Sequence, residues 1–181
     1  MKTTIINFSG RYIGNCYDIA EFIKATLDEH DVEMFHMCDT MIKPCVDCNY
    51  ECLDFADSCP IDDDADAVYT SLCNADTAYF ILPNYTGWPN ASFWAFNERK
   101  QGFFGLKPDL IDHYMRLDKK FVVISNTEKD NFRKVFSSHV KGELDMFFLS
   151  TKDFDTGGVR GGMMGSHKAQ TILKEFVKRC K

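Results

Sequence analysis

The chain has 181 residues, 45% of them apolar and 27% charged, enough to bury roughly 70% of its unfolded surface in one core, so a single domain over residues 1–181 is expected. Lys and Arg total 21 against 27 Asp and Glu, a net charge of -6 with no dense basic run, which excludes a nucleic-acid partner. No apolar run approaches the ~18 residues of a spanning helix, and residues 1–7 turn polar too early for a signal peptide, so the expectation is a soluble, cytoplasmic protein with no membrane partner.

Residues 3–8 are a short β-branched run that predicts a strand, followed by turn residues over 9–15. Over residues 16–29, Ile19, Phe22, Ile23 and Leu27 recur at helical spacing with Asp18, Glu21, Lys24 and Asp28 opposite, an amphipathic helix. Residues 32–37 read as a second strand that enters a cysteine-bearing loop over 38–60. Asp62, Asp63 and Asp64 then cap a helix carrying Ala65, Val68, Tyr69, Leu72 and Cys73, and capping explains them better than a cation site. Residues 77–82 form a continuous apolar run ended by Pro83 and Asn84, a strand buried on both faces.

Pro89 opens the next helix at its first position, and Phe93, Trp94 and Phe96 carry it towards Arg99. Residues 101–117 are aromatic-rich and irregular at first, with a short helix after Pro108. Residues 121–125 and 146–151 are the fourth and fifth strands, separated by a helical stretch over 132–140. A last helix over 167–179 turns Ile172, Leu173, Phe176 and Val177 inward, and the glycine-rich run 156–162 before it reads as a flexible connection.

Strands alternating with helices at this size argue for an α/β fold with an open, five-stranded parallel sheet covered on both faces. Ligands of such folds bind beyond the carboxyl ends of the strands, where the strand order reverses. The loops starting at Ser9, Pro83 and Ser125 are therefore the expected site.

The first loop, residues 9–16, combines Ser9, Arg11, Asn15 and the N–H groups of a helix N-terminus, the parts of a phosphate cradle. It lacks the lysine and glycine spacing of a P-loop and the glycines of a dinucleotide fingerprint. It also reads as an ordinary strand-to-helix turn capped by Asn15. In the third-strand loop, Pro83, Asn84, Tyr85, Thr86, Gly87 and Trp88 join two large aromatics to polar groups, a place for a flat heteroaromatic ring to stack; equally, Tyr85 and Trp88 cover a sheet edge or a partner subunit.

The eight cysteines of a chain without an export signal read as thiols, metal ligands or redox groups rather than a disulfide scaffold. Cys45, Cys48, Cys52 and Cys59 sit on one loop at short intervals. Four thiolates are the usual count for a [4Fe-4S] cluster, while free or redox-active thiols, zinc and disulfides remain alternative readings. Cys38 lies nearby, Cys73 falls on an apolar helix face, and Cys180 is terminal. The five histidines share no spacing, and none is assigned to catalysis.

The motifs Ser9-x-Arg11-x-x-Gly14-Asn15, Pro44-Cys45-x-x-Cys48 with Cys59 and Asp63-Asp64, and Pro83-x-Tyr85 before an aromatic helix ending Asn97-Glu98-Arg99 resemble the NADPH-dependent FMN reductase and iron-sulfur flavoprotein group of flavodoxin-like proteins. Phe8 and Cys16 stand where that group usually has glycine and a hydroxyl residue. The resemblance implies a flavodoxin-like three-layer sandwich in which Ser9, Arg11, Asn15 and Cys16 hold the FMN phosphate. Pro83 to Trp88 would line the isoalloxazine ring, and the loop starting at Ser125 would complete the site.

The implied activity is hydride transfer from NAD(P)H to FMN, with electrons passed to a small-molecule or protein acceptor and no side-chain acid or base required. The alternatives are an iron-sulfur flavoprotein electron carrier and a non-catalytic flavin or thiol sensor. Six aromatics between Trp88 and Phe104 form more apolar surface than one helix should hide, so a homo-oligomer, dimer or higher, is expected.

Overall fold

The computed structural model describes residues 1–46, 50–53, 59–126, 130–154 and 160–179. Among these, the strands β1 (Lys2–Asn7), β2 (Asp31–His36), β3 (Thr77–Pro83), β4 (Asp118–Ile124) and β5 (Asp145–Leu149) form one parallel sheet in the order β2-β1-β3-β4-β5. The helices are α1 (Asn15–Thr26), α2 (Ala65–Asn74), α3 (Ala91–Leu106), α4 (Ile111–Arg116), α5 (Asp130–Phe136) and α6 (His167–Val177). The chain steps from β1 out to β2, then back past β1 to β3, so the strand order reverses between β1 and β3.

Side chains alternate along each strand, and this divides the core into two layers. Ile6, Phe80, Leu82, Phe121 and Val123 share one layer with Tyr69 of α2, Phe93 and Phe96 of α3, Tyr114 of α4 and Phe136 of α5. Ile5, Tyr79, Ile81 and Val122 share the other with Ile19 and Ile23 of α1 and Leu173 and Phe176 of α6. The expected three-layer sandwich is therefore present, with α1 and α6 on one face and α2 to α5 on the other.

Three local expectations are corrected. Asn90, not Pro89, stands before the first turn of α3, and its Nδ2 donates to the Phe8 carbonyl at 2.6 Å, tying the helix start to the end of β1. The helix then continues to Leu106 instead of becoming irregular at residue 101. Its late glycines break the apolar period because a loop lies against them: a Cβ on Gly102 would meet the Cys52 side chain at 3.9 Å, and one on Gly105 the Cys52 carbonyl at 3.6 Å. Most of the aromatics expected on the surface are core as well. Phe93, Phe96, Phe103 and Phe104 are buried, leaving Trp88 41% and Trp94 36% exposed.

β4 begins three residues earlier than its apolar run because Lys119 and Lys120 are strand residues, each 2% exposed. Their stems run inward while the ammonium groups reach carbonyls at the amino end of the sheet. Lys119 Nζ donates to the Tyr114 carbonyl and lies 4.0 Å from that ring's centre, and Lys120 Nζ donates to the Arg179 carbonyl at 2.5 Å.

Candidate functional site

A cavity of about 480 Å³ opens at the carboxyl ends of the strands, beside the point of strand reversal. The first loop and start of α1 contribute Ser9, Arg11, Gly14, Asn15 and Cys16. The loop after β3 contributes Pro83, Asn84, Tyr85 and Thr86, and the ends of β4 and β5 contribute Ile124, Asn126 and Thr151. The structure thus brings eight of the expected site residues around one hollow. Gly87, Trp88 and Ser125 stand outside its lining.

Asparagines organise this end of the sheet by giving loop N–H groups an acceptor that the strands no longer provide. Asn7, the last residue of β1, accepts from the Ser9 N–H at 2.9 Å. Asn84 accepts from the Gly87 N–H at 2.7 Å, and its Nδ2 donates to Ser125 Oγ at 2.7 Å, so buried Ser125 anchors the loop from behind. Asn126 accepts from the Thr151 N–H at 2.9 Å and the Ser150 hydroxyl at 2.8 Å, joining the ends of β4 and β5. Of the lining residues that sequence reasoning missed, Asn126 follows Ser125 directly in an already suspected loop. Thr151 lies in the short 3-10 turn after the edge strand β5, which ends at Leu149, and carries no such signal.

Asn15 does not cap α1. Gly14 occupies the cap with φ 145°, a backbone that favours glycine, and Asn15 begins the helix. Its buried Oδ1 accepts from the Met163 N–H at 3.0 Å. A Cβ on Gly161 would meet the Gly14 Cα at 3.5 Å, so residues 160–163 are seated on the start of α1 rather than forming a loose connection there. Residues 156–159 of the glycine-rich run lie outside the described residues. The Cys16 thiol packs with Ile5 and Ile19, and burial pushes it up to about 12 despite nearby Arg11, so it stays protonated. The position offers a backbone N–H rather than an ionised sulfur.

Tyr85 and Trp88 exchange backbone hydrogen bonds at 2.9 and 3.0 Å around a two-residue turn. Thr86 and Gly87 at its tip have φ 52° and 90°. This tight turn holds the Tyr85 and Thr86 edge of the cavity.

The described cysteines do not converge as a four-ligand cluster would. Cys48 lies outside the described residues, and among those described no three His, Cys, Asp or Glu gather as a metal-holding group. Cys52 is buried against α3, and Cys59 Sγ accepts from Arg99 Nη2 at 3.3 Å. The cluster expected on Cys45, Cys48, Cys52 and Cys59 therefore finds no support. Among the described residues Cys16, Cys38, Cys52, Cys59 and Cys73 are free thiols. The aspartates before α2 clamp the loop instead of capping the helix from Asp64. Asp63 accepts from the Ala65 and Lys43 N–H groups at 3.0 and 2.8 Å and pairs with buried Arg99, and Asp64 accepts from the Met41 N–H at 2.7 Å.

A family model described as NADPH-dependent FMN reductase matches residues 1–124, from β1 to the end of β4. The chain belongs to this family. It is an NAD(P)H-dependent oxidoreductase with a flavodoxin-like fold. The match spans both principal loops of the cavity and ends before β5 and α6.

Solved structures share the fold of this FMN reductase family member at low identity. The Trp repressor binding protein from Bacillus subtilis superposes with a TM-score of 0.64 at 12% identity, covering 100% of both chains. The NAD(P)H:quinone oxidoreductase from Methanothermobacter marburgensis gives 0.64 at 12%, covering 98% of this chain and 96% of its own. Smu.1420 from Streptococcus mutans UA159 gives 0.61 at 13%, covering 98% and 97%. No curated protein matches the sequence. Among the described residues no helix is long and apolar enough to cross a membrane.

Proposed function

We propose that the cavity at the carboxyl end of the sheet holds FMN, and that the protein uses it to take hydride from NAD(P)H and pass electrons to a small-molecule or protein acceptor. One observation carries this reading: a helix start with Ser9 and Arg11 beside it and an aromatic turn line the same hollow, whose ~480 Å³ lies in the range of small-molecule and cofactor sites. FMN, when bound, supplies the two-electron chemistry. The protein's own groups bind and orient.

Ser9, the exposed Arg11 and the first-turn N–H groups of α1 offer donors to a phosphate, because the opening N–H groups of a helix have no intrahelical acceptor. Pro83 and Tyr85 offer apolar surface to a flat ring, while Asn84 and Ser125 keep that loop in place. No side chain is asked to donate or remove a proton. The same proposal takes residues 1–181 as one domain, the cytoplasm as its compartment, and a homo-oligomer that covers Trp88 and Trp94. Sedimentation at micromolar concentration tests the assembly, and Trp94→Glu should yield monomers.

The functional test is titration of apoprotein with FMN, alongside steady-state oxidation of NADH and NADPH. Arg11→Ala removes a charge-assisted contact and should weaken FMN binding about tenfold or more. Unchanged affinity would remove the first loop from the flavin site.

A further inference from the structure

The last residue of β1, Asn7, is buried and links the first loop to β2. The Ser9 N–H donates to its Oδ1 at 2.9 Å. A backbone N–H can act only as donor, so the amide oxygen faces Ser9 and Nδ2 faces His36 Nδ1, 3.0 Å away. An amide NH2 is likewise a donor only. His36 Nδ1 must therefore accept, and the neutral ring carries its proton on Nε2.

That proton points into a buried place where Nε2 has no hydrogen-bond partner among the described residues, with Glu21 Oε1 of α1 standing 3.5 Å off. The ring also stacks on Tyr17 of α1 with centres 4.4 Å apart. Contacts from β1 and α1 thus fix both the plane and the tautomer of a residue that does not line the cavity.

We propose that His36 is a positioning residue for the first loop. By accepting from Asn7 it keeps Asn7 Oδ1 on the Ser9 N–H, and Ser9 Oγ in turn accepts from the Arg11 N–H at 3.3 Å. The chain of contacts runs from β2 through Asn7 to the two residues assigned to the phosphate. Without an acceptor at Nδ1, the Asn7 amide can keep the Ser9 N–H only by leaving its buried Nδ2 unpaired, so the side chain turns towards another acceptor and the loop it holds shifts with it. The inference rests on the reading of the first loop as the FMN phosphate site.

The test compares FMN and riboflavin binding, since riboflavin lacks the phosphate. His36→Phe keeps a ring against Tyr17 and removes the acceptor, whereas His36→Asn can return an oxygen near the place of Nδ1. His36→Phe should weaken FMN binding about tenfold, leave riboflavin within about twofold, and be largely rescued by His36→Asn. If His36→Phe does not fold, His36→Gln, whose amide reaches the Nε2 position instead, carries the same expectation.

Wild-type FMN affinity in His36→Phe, an equal loss for FMN and riboflavin, or failure of His36→Asn to rescue would overturn the positioning role. Arg11→Ala separates the two levels. If it weakens FMN while His36→Phe does not, the relay alone falls; if Arg11→Ala changes nothing, the phosphate reading falls and the relay with it.

Discussion

The two ends of the sheet both carry hollows, and the larger lies away from the loops proposed to hold FMN. At the amino ends of the strands a hollow of about 960 Å³ is bordered by Met1, His30, Asp76, Lys119, Lys120 and Arg179, against about 480 Å³ at the carboxyl ends. They differ in what holds their walls. The carboxyl end is tied by short asparagine side chains bonded to loop backbone, which fixes donors and acceptors in space. The amino end is bordered by charged residues of both signs, including the long Lys120 that reaches back to a carbonyl near the C-terminus of α6. On the proposed reading, the fixed polar groups that converge on the smaller hollow, rather than volume, mark the site.

The same contrast separates two buried cations. Arg99, near the cysteine loop, is paired with an equally buried carboxylate, Asp63, and also donates to the Lys43 carbonyl and Cys59 Sγ, both at 3.3 Å. Lys119, at the other end, has a carbonyl and an aromatic face. Removing Arg99 leaves Asp63 buried without its cation, which typically costs 3–5 kcal/mol. Arg99→Met should lower unfolding free energy by about that much in urea titrations and speed alkylation of Cys59 as the loop loosens. A loss under about 1 kcal/mol would break the comparison, because the pair would then behave as a surface ion pair.

Lys119 should respond in the opposite direction. Burial lowers its pKa from the ordinary 10.5 to about 7, overcoming the carbonyl and ring that favour the charge. Below about pH 7 both folded and unfolded chains hold this proton. Between about 7 and 10.5 the unfolded chain keeps a proton that the folded chain has released, so stability rises with pH, by at most about 1.4 kcal/mol per unit. Above that range both forms are neutral and the contribution is flat. Lys119→Met should gain ~1–3 kcal/mol at pH 7 and lose this rise. Denaturant titrations at pH 7, 8 and 9 check both parts, and an unchanged slope would assign the pH dependence elsewhere.

The sheet and its first connections were legible because they depend on local pattern: the β-branched run into β1, the 3.6-residue period of α1, and the apolar block of β3. The start of β4 was hidden because Lys119 and Lys120 read as surface residues until distant carbonyls are in view. The end of α3 was hidden because Gly102 and Gly105 are shaped to a loop that contacts them only in space. Two thirds of the cavity lining was readable from the order of Ser9, Arg11 and Asn15 and from the loop after Pro83. Thr151, Asn7 and Asn126 were not, since an asparagine that braces a loop looks like one that merely tolerates a turn. His36 shares no spacing with any other histidine, and its role passes through Asn7 on a neighbouring strand. The cysteine spacing suggested convergence, yet Cys52 and Cys59 face different residues of α3.

The smallest expected effect lies in the turn after β3, where fixing the site and stabilising the fold pull apart. A two-residue turn with left-handed backbone at both central positions suits Asn-Gly, and this chain has Thr86-Gly87. A β-branched residue at φ 52° is strained, with only the bond from its hydroxyl to the Tyr85 carbonyl, 2.8 Å, in partial return. Thr86→Asn should therefore stabilise the protein by about 0.5–1 kcal/mol, raising Tm by about 1–4 °C. Thr86 also lines the cavity, so the change tests why the strain persists. A higher Tm with weaker FMN binding means that the threonine is kept for the ligand at a cost to the fold. A higher Tm with unchanged binding makes the strain incidental to the site. A lower Tm would mean that the hydroxyl bond outweighs the backbone strain, and the carboxyl end would then be stabilised by the same local bonding that its asparagines supply.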